Sequence, residues 1–164
     1  MRKLSIKYRQ MNQNTGTFRD HIKKMSEYEE IEVGDEAELT RTVTEEDVRY
    51  FAEISGDQNL IHVDKEFAGK TAFKKPIVHG MFTASLFSNL VGNILPGNGS
   101  VYLTQDLNFK KPVYIGDTIR ANLTVLRKVD GPKILILKTT ATNQNNEVVL
   151  IGKGQVTWAR PAEE

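Results

Sequence analysis

From Ile31 onward, apolar and polar residues recur with a regular period, and the period changes along the chain. A Gly34-Asp35 turn leads into Ala37, Leu39, Arg41 and Val43, the alternation of a short strand. Thr44 then offers a helix N-cap, with Asp47 three residues later completing a weak capping box. Val48, Phe51, Ala52 and Ile54 supply the inward stripe of that helix, and Gly56 is placed to end it. The polar stretch SGDQNLIHVD, residues 55 to 64, therefore falls just past a helix end, and a loosely patterned connection containing Phe67 and Phe73 runs from it to Pro76.

The next segment, IVHGMFTASLFSNLVGNILPG, reads differently. Met81, Phe82, Ala84, Leu86, Phe87, Leu90, Val91, Ile94 and Leu95 cover most of the circumference of a helix ending at Pro96-Gly97, and such a helix must be buried. Residues 100 to 109, 117 to 129, 133 to 143 and 147 to 159 read as strands. Turn signals separate them at Lys111-Pro112, Gly116-Asp117, Asp130-Gly131-Pro132 and Asn143 to Asn146. A helix apolar nearly all round, followed by long antiparallel strands, is accommodated by curling the sheet around the helix. The expected architecture is α+β, of the hot-dog type, over residues 31 to 160.

Residues 1 to 30 read as a basic N-terminal extension. The first 25 carry Arg2, Lys3, Lys7, Arg9, Arg19, Lys23 and Lys24 against the single acid Asp20, without a clear apolar period. A transit peptide or an anion-binding tail would share that composition, and a solvated arm is the expectation. Over the whole chain, 164 residues with 39% apolar content suit one domain, and a net charge of +1 provides no field to gather nucleic acid or an anionic membrane. There is no cysteine, which excludes disulfides, thiolate metal sites and a cysteine nucleophile. No apolar run approaches the roughly 20 residues that span a bilayer. A soluble, cytoplasmic protein is expected.

Candidate chemistry concentrates in two places. Asp57 and His62 are five apart and would diverge on a regular helix, so they converge on one point only if the intervening chain is irregular, as Gly56 permits. An acid and an imidazole around one water form a proton-transfer pair suited to adding or removing water. An Asx turn accounts for Asp57 and Asn59 without any chemistry. The second place is His79-Gly80, at the start of the apolar helix, where backbone N–H groups lack partners and can stabilise an oxyanion. There, His79 also fits a hydrogen-bonded structural role. Ser85 and Ser88 lack the G-x-S-x-G surroundings of a serine nucleophile, and no glycine-rich phosphate loop is present.

Three ordered segments, Asp57-Gln58-Asn59-Leu60-Ile61-His62, Pro76-Ile77-Val78-His79-Gly80-Met81 and Phe109-Lys110-Lys111-Pro112-Val113, resemble the MaoC-like dehydratase family, and within it the (R)-specific enoyl-CoA hydratases of polyhydroxyalkanoate synthesis. The resemblance implies a hot-dog homodimer that reversibly hydrates trans-2-enoyl-CoA to (R)-3-hydroxyacyl-CoA, with no metal or cofactor beyond the coenzyme A of the substrate. It implies Asp57 and His62 as the catalytic acid and histidine, Asn59 as their support, Gly80 as donor to the thioester carbonyl, and Ser88 as a serine assisting the acid. The family commonly has proline where this chain has Leu60, which frees the backbone there. Leu86, Leu90 and Val91 are candidates for setting acyl-pocket depth, with short chains expected, and Lys74, Lys75, Lys110 and Lys111 are candidates for the coenzyme A phosphates. A thioesterase on the same fold and a non-catalytic acyl-CoA-binding module are the rival readings.

Overall fold

In the computed structural model, which describes residues 3–6 and 28–159, the alternation along the second half of the chain becomes part of one six-stranded sheet. The strands are β1 (Lys3–Ile6), β2 (Glu36–Thr42), β3 (Ser100–Phe109), β4 (Thr118–Val129), β5 (Ile134–Thr142) and β6 (Val148–Trp158), in spatial order β1-β2-β4-β5-β6-β3. Neighbours are antiparallel except for β1, which runs parallel to β2. Period-two burial follows the sequence: Ile119, Ala121, Leu123 and Val125 of β4 and Leu135, Leu137 and Ala141 of β5 are buried on the inner face. Register shifts leave Leu126 in β4 and Leu103 in β3 as extra residues, the kind of bulge that bends a strand and increases its twist. The sheet packs against the long helix α4 (Gly80–Asn93), which contacts β2, β3 and β4, in the α+β hot-dog arrangement.

The shelter given to α4 is one-sided. Thr83, Leu86, Phe87, Leu90 and Val91 are buried, at the 3-4 spacing of one helix face, whereas Met81 is 57% exposed and Ser85 and Ser88 face outward. The expectation of a helix buried all round is corrected accordingly: the sheet wraps α4 from one side, and the opposite face is open in the single chain. The helix also ends at Asn93, one turn before Pro96. On the buried side each leucine or phenylalanine taken out of water contributes on the order of 2–3 kcal/mol.

Three further helices lie between β2 and α4. The first, α1 (Glu45–Ser55), has the full capping box: Thr44 Oγ1 accepts from the Asp47 amide at 3.1 Å, and the Asp47 carboxylate accepts from the Thr44 amide at 3.0 Å. Gly56 ends it in the left-handed region, at φ 75°. Val48 and Ala52 are buried and Phe51 is half-buried, but Ile54 is 85% exposed, contrary to its place in the expected stripe. At 100° per residue Ile54 lies about 240° from Val48, outside the narrow arc a peripheral helix buries.

The connection that reads as loosely patterned contains α2 (Leu60–Val63) and α3 (Lys65–Lys70). Each is too short to show a period and is defined by its cap: Asn59 Oδ1 accepts from the Ile61 amide at 3.2 Å, and Asp64 Oδ1 from the Phe67 amide at 2.7 Å. No helix among the described residues is long and apolar enough to cross a membrane.

Of the segment expected as a basic extension, Lys3–Ile6 forms β1 and Tyr28–Glu30 forms a 3₁₀ turn, while residues 1–2 and 7–27 lie outside the described residues. Tyr28 is buried: its hydroxyl donates to Asp130 at 2.9 Å, and Lys128 Nζ sits 4.3 Å over its ring while donating to the carbonyls of Tyr28 and Ile31.

Leu60 occupies the first helical position of α2, where an amide has no intrahelical partner and a proline is well tolerated. Asn59 before it, at φ −57° and ψ 125°, has the backbone that a following proline requires. Leu60→Pro is therefore expected to raise stability by about 0.5 kcal/mol through the unfolded chain, measured by denaturant titration, with Asn59 still capping α2.

Candidate active site

The residues after α1 build one end of the site through local bonds. Gly56 turns the chain, Asp57 Oδ1 accepts from the Asn59 amide at 3.2 Å, and Asn59 in turn caps the helix that carries His62. The Asx bonds that offered a non-chemical account of Asp57 and Asn59 are thus present, and they are what sets the spacing between Asp57 and His62.

The other end is set by tertiary bonds. His62 Nδ1 donates to the Ile77 carbonyl at 2.8 Å, which leaves Nε2 with its lone pair free to accept a proton. His79 Nε2 donates to the backbone carbonyl of Asp57 at 3.0 Å, tying the start of α4 to the turn after α1. The His62 and His79 ring centroids are 3.9 Å apart with a 32° tilt, and Phe51 lies 5.1 Å from His79 on another side. Ligand-type atoms of Asp57, His62 and His79 all fall within 4.8 Å of one another. The His79 ring is buried, and that burial, together with the neighbouring His62, holds its pKa below the usual 6.5 against the opposing pull of its bond to Asp57. His79 is therefore a neutral ring at pH 7, with Nδ1 buried and unpartnered.

Gly80 is the first residue of α4, and its amide has no partner inside the helix. A Cβ at this position would stand 2.7 Å from the Phe109 ring, so any larger residue requires that ring to move. A cleft of about 490 Å³ opens beside it, lined by His62, Ile77, Gly80, Phe109, Lys110 and Lys111 among others. Asp57 does not line this cleft and stays exposed beside the imidazoles. A smaller cavity of about 270 Å³ reaches His62 from the α1 side, past Val48 and Gln58.

Other expected residues fall elsewhere. Leu86, Leu90 and Val91 are packed in the core, and none lines the cleft. Ser88 is exposed on α4 and, among the described residues, makes no hydrogen bond to Asp57. Lys110 and Lys111 border the cleft, Lys111 pairing with Glu147, whereas Lys75 lies over the Tyr114 ring at 4.3 Å and Lys74 is in a left-handed turn at φ 64°. The contribution of His79 to placing Asp57 is not visible in the sequence, because the two are 22 residues apart and no periodicity joins them.

With this geometry the chain can be set beside known proteins. The model of the MaoC like domain matches residues 28–147. An (R)-specific enoyl-CoA hydratase of Aeromonas caviae is 43% identical over 126 residues, spanning 77% of this chain and 94% of that protein. A second (R)-specific enoyl-CoA hydratase, from Rhodospirillum rubrum, is 40% identical over 135 residues, spanning 82% of this chain and 92% of its own length. The solved structure of the (R)-hydratase from A. caviae involved in polyhydroxyalkanoate biosynthesis superposes with a TM-score of 0.76 at 42% identity, covering 78% of this chain and 97% of that one. A matched domain that begins at Tyr28, contains both histidines of the cluster and carries the same sheet and helix makes this chain a member of the MaoC-like family.

Proposed function

We propose that the protein is an (R)-specific enoyl-CoA hydratase, a hydro-lyase that reversibly adds water to trans-2-enoyl-CoA to give (R)-3-hydroxyacyl-CoA. The observation that carries this reading is the convergence of Asp57 and His62 within 4.8 Å, with His62 lining the cleft that begins at the Gly80 amide. The thioester oxygen accepts a hydrogen bond from Gly80 N–H, drawing electron density away from the double bond. Water held between the Asp57 carboxylate and His62 Nε2 forms the new C–O bond at the β carbon. Its proton passes to this pair, and a proton is delivered to the α carbon, so that the sum is one water added across one face of the alkene. The change is redox-neutral and every added atom comes from water, so the reading calls for no redox cofactor.

Lys110 and Lys111 at the cleft support recognition of the coenzyme A phosphates. The A. caviae relative supports a role in supplying (R)-3-hydroxyacyl units for polyhydroxyalkanoate. A cytoplasmic setting belongs to the same reading, supported by the cysteine-free chain. A homodimer completes it: the outer strand β3 exposes Val101 and Leu103, and α4 leaves one face open, which together suit sheet-to-sheet pairing with a second copy. Light scattering is expected to give twice the chain mass, and a monomer at micromolar concentration contradicts the pairing.

Asp57→Asn and His62→Ala are each expected to slow hydration of crotonyl-CoA by roughly 10²–10⁴-fold with unchanged circular dichroism. Loss of the enoyl thioester absorbance measures it. Near-normal turnover by either variant, or release of free thiol in place of hydration, refutes the assignment.

The depressed pKa of His79 fixes the sign of a pH effect. The unfolded chain takes up this proton first, so the stability associated with neutral His79 is present above 6.5 and is lost as pH falls through that value toward the lower folded one. The melting temperature is expected to drop as pH falls below 6.5, and His79→Gln, whose amide can donate to the same carbonyl, is expected to flatten that drop. Thermal melts across this range check it.

A further inference from the structure

Thr83 lies three residues after Gly80 on α4, so the two share one side of the helix. Thr83 is 2% exposed, and its hydroxyl is buried without a hydrogen-bond partner. A threonine within a helix ordinarily returns its hydroxyl to the carbonyl one turn earlier. Here the His79 carbonyl already accepts the amides of Phe82 at 3.0 Å and Thr83 at 3.3 Å. An unmatched buried hydroxyl costs about 1–3 kcal/mol, a cost that a ligand in the adjoining space can remove.

That space is the cleft, which Thr83 lines together with Gly80. Helical side chains lean toward the N-terminus of their helix, which directs Thr83 over the turn where the Gly80 amide emerges. The neighbouring walls from Val78, Val113 and Leu150 are apolar, so they neither compete for the hydroxyl nor screen it. The Phe109 ring packs against Gly80 and closes the cleft on that side, leaving its open volume to the side that Gly80 and Thr83 share.

Resting on the hydratase reading, we propose that the Thr83 hydroxyl is a second donor to the carbonyl oxygen of the α,β-unsaturated thioester, beside the Gly80 amide. One donor polarises that oxygen, and two fix the plane of the thioester and share the charge that gathers on the oxygen as water adds. Thr83 thereby orients the alkene face presented to Asp57 and His62.

Two substitutions test this. Thr83→Val keeps the shape and removes the hydroxyl, and Thr83→Ser keeps the hydroxyl and removes the methyl. For crotonyl-CoA, Thr83→Val is expected to lower kcat by about 10²-fold with little change in KM, while Thr83→Ser stays within about threefold of the unaltered protein. The Thr83→Val protein is expected to melt no lower than the unaltered one, because an unmatched polar group has gone. Turnover by Thr83→Val within about twofold of the unaltered protein overturns the proposal, as do equal losses in the two variants, which mark packing of the methyl. An unaltered protein that leaves crotonyl-CoA intact overturns the hydratase reading and this inference with it, whereas an active protein indifferent to Thr83→Val overturns the inference alone.

Discussion

The site depends on one hydrogen bond, from the His79 ring to the backbone carbonyl of Asp57. Local bonds shape the turn after α1, but they fix the Asp57 carboxylate only relative to its own neighbours. The His79 bond places that turn relative to α4, and through α4 relative to the sheet. Because the His62 ring stacks on His79 and is held in turn by the Ile77 carbonyl, the Asp57 and His62 side chains and the Gly80 amide share one frame. Errors of about 1 Å in such a frame cost large factors in rate, which is why a buried ring serves better here than a flexible side chain.

Backbone carbonyls also settle the tautomers of the two neutral rings. Each imidazole gives one N–H to a backbone carbonyl, and carbonyls only accept, so the tautomers are assigned by their partners: Nδ1–H for His62 and Nε2–H for His79. Two adjacent rings are poorly placed to be cations together, and burial adds to that bias at His79. The result is a neutral His79 ring stacked on His62, at the edge of a cleft whose walls are largely apolar and which strengthen the pull of any donor aimed into them.

Much of the fold is legible in the chain because the strands of the second half carry both alternation and turn residues. Their expected and observed limits differ by no more than one residue at any end. The capping box at Thr44 and the stop at Gly56 were legible for the same reason: local chemistry decides them. What the period misses are elements shorter than two turns, so α2 and α3 show themselves only through Asn59 and Asp64. The one-sided burial of α4 had a signal too, since Ser85, Ser88, Asn89 and Asn93 recur at helical spacing on its outward side. The contacts that complete the site, His79 with Asp57 and His62 with Ile77, join positions 22 and 15 residues apart and follow from the packed structure alone.

The two rims of the sheet are unlike. On one, β1 pairs with β2 along Glu36 to Leu39 and is itself four residues long, a poor template for another backbone. On the other, β3 offers ten residues. Were two copies to join along β3, each would cover the other's long edge, and among the described residues only the short β1 rim would remain to receive a further strand.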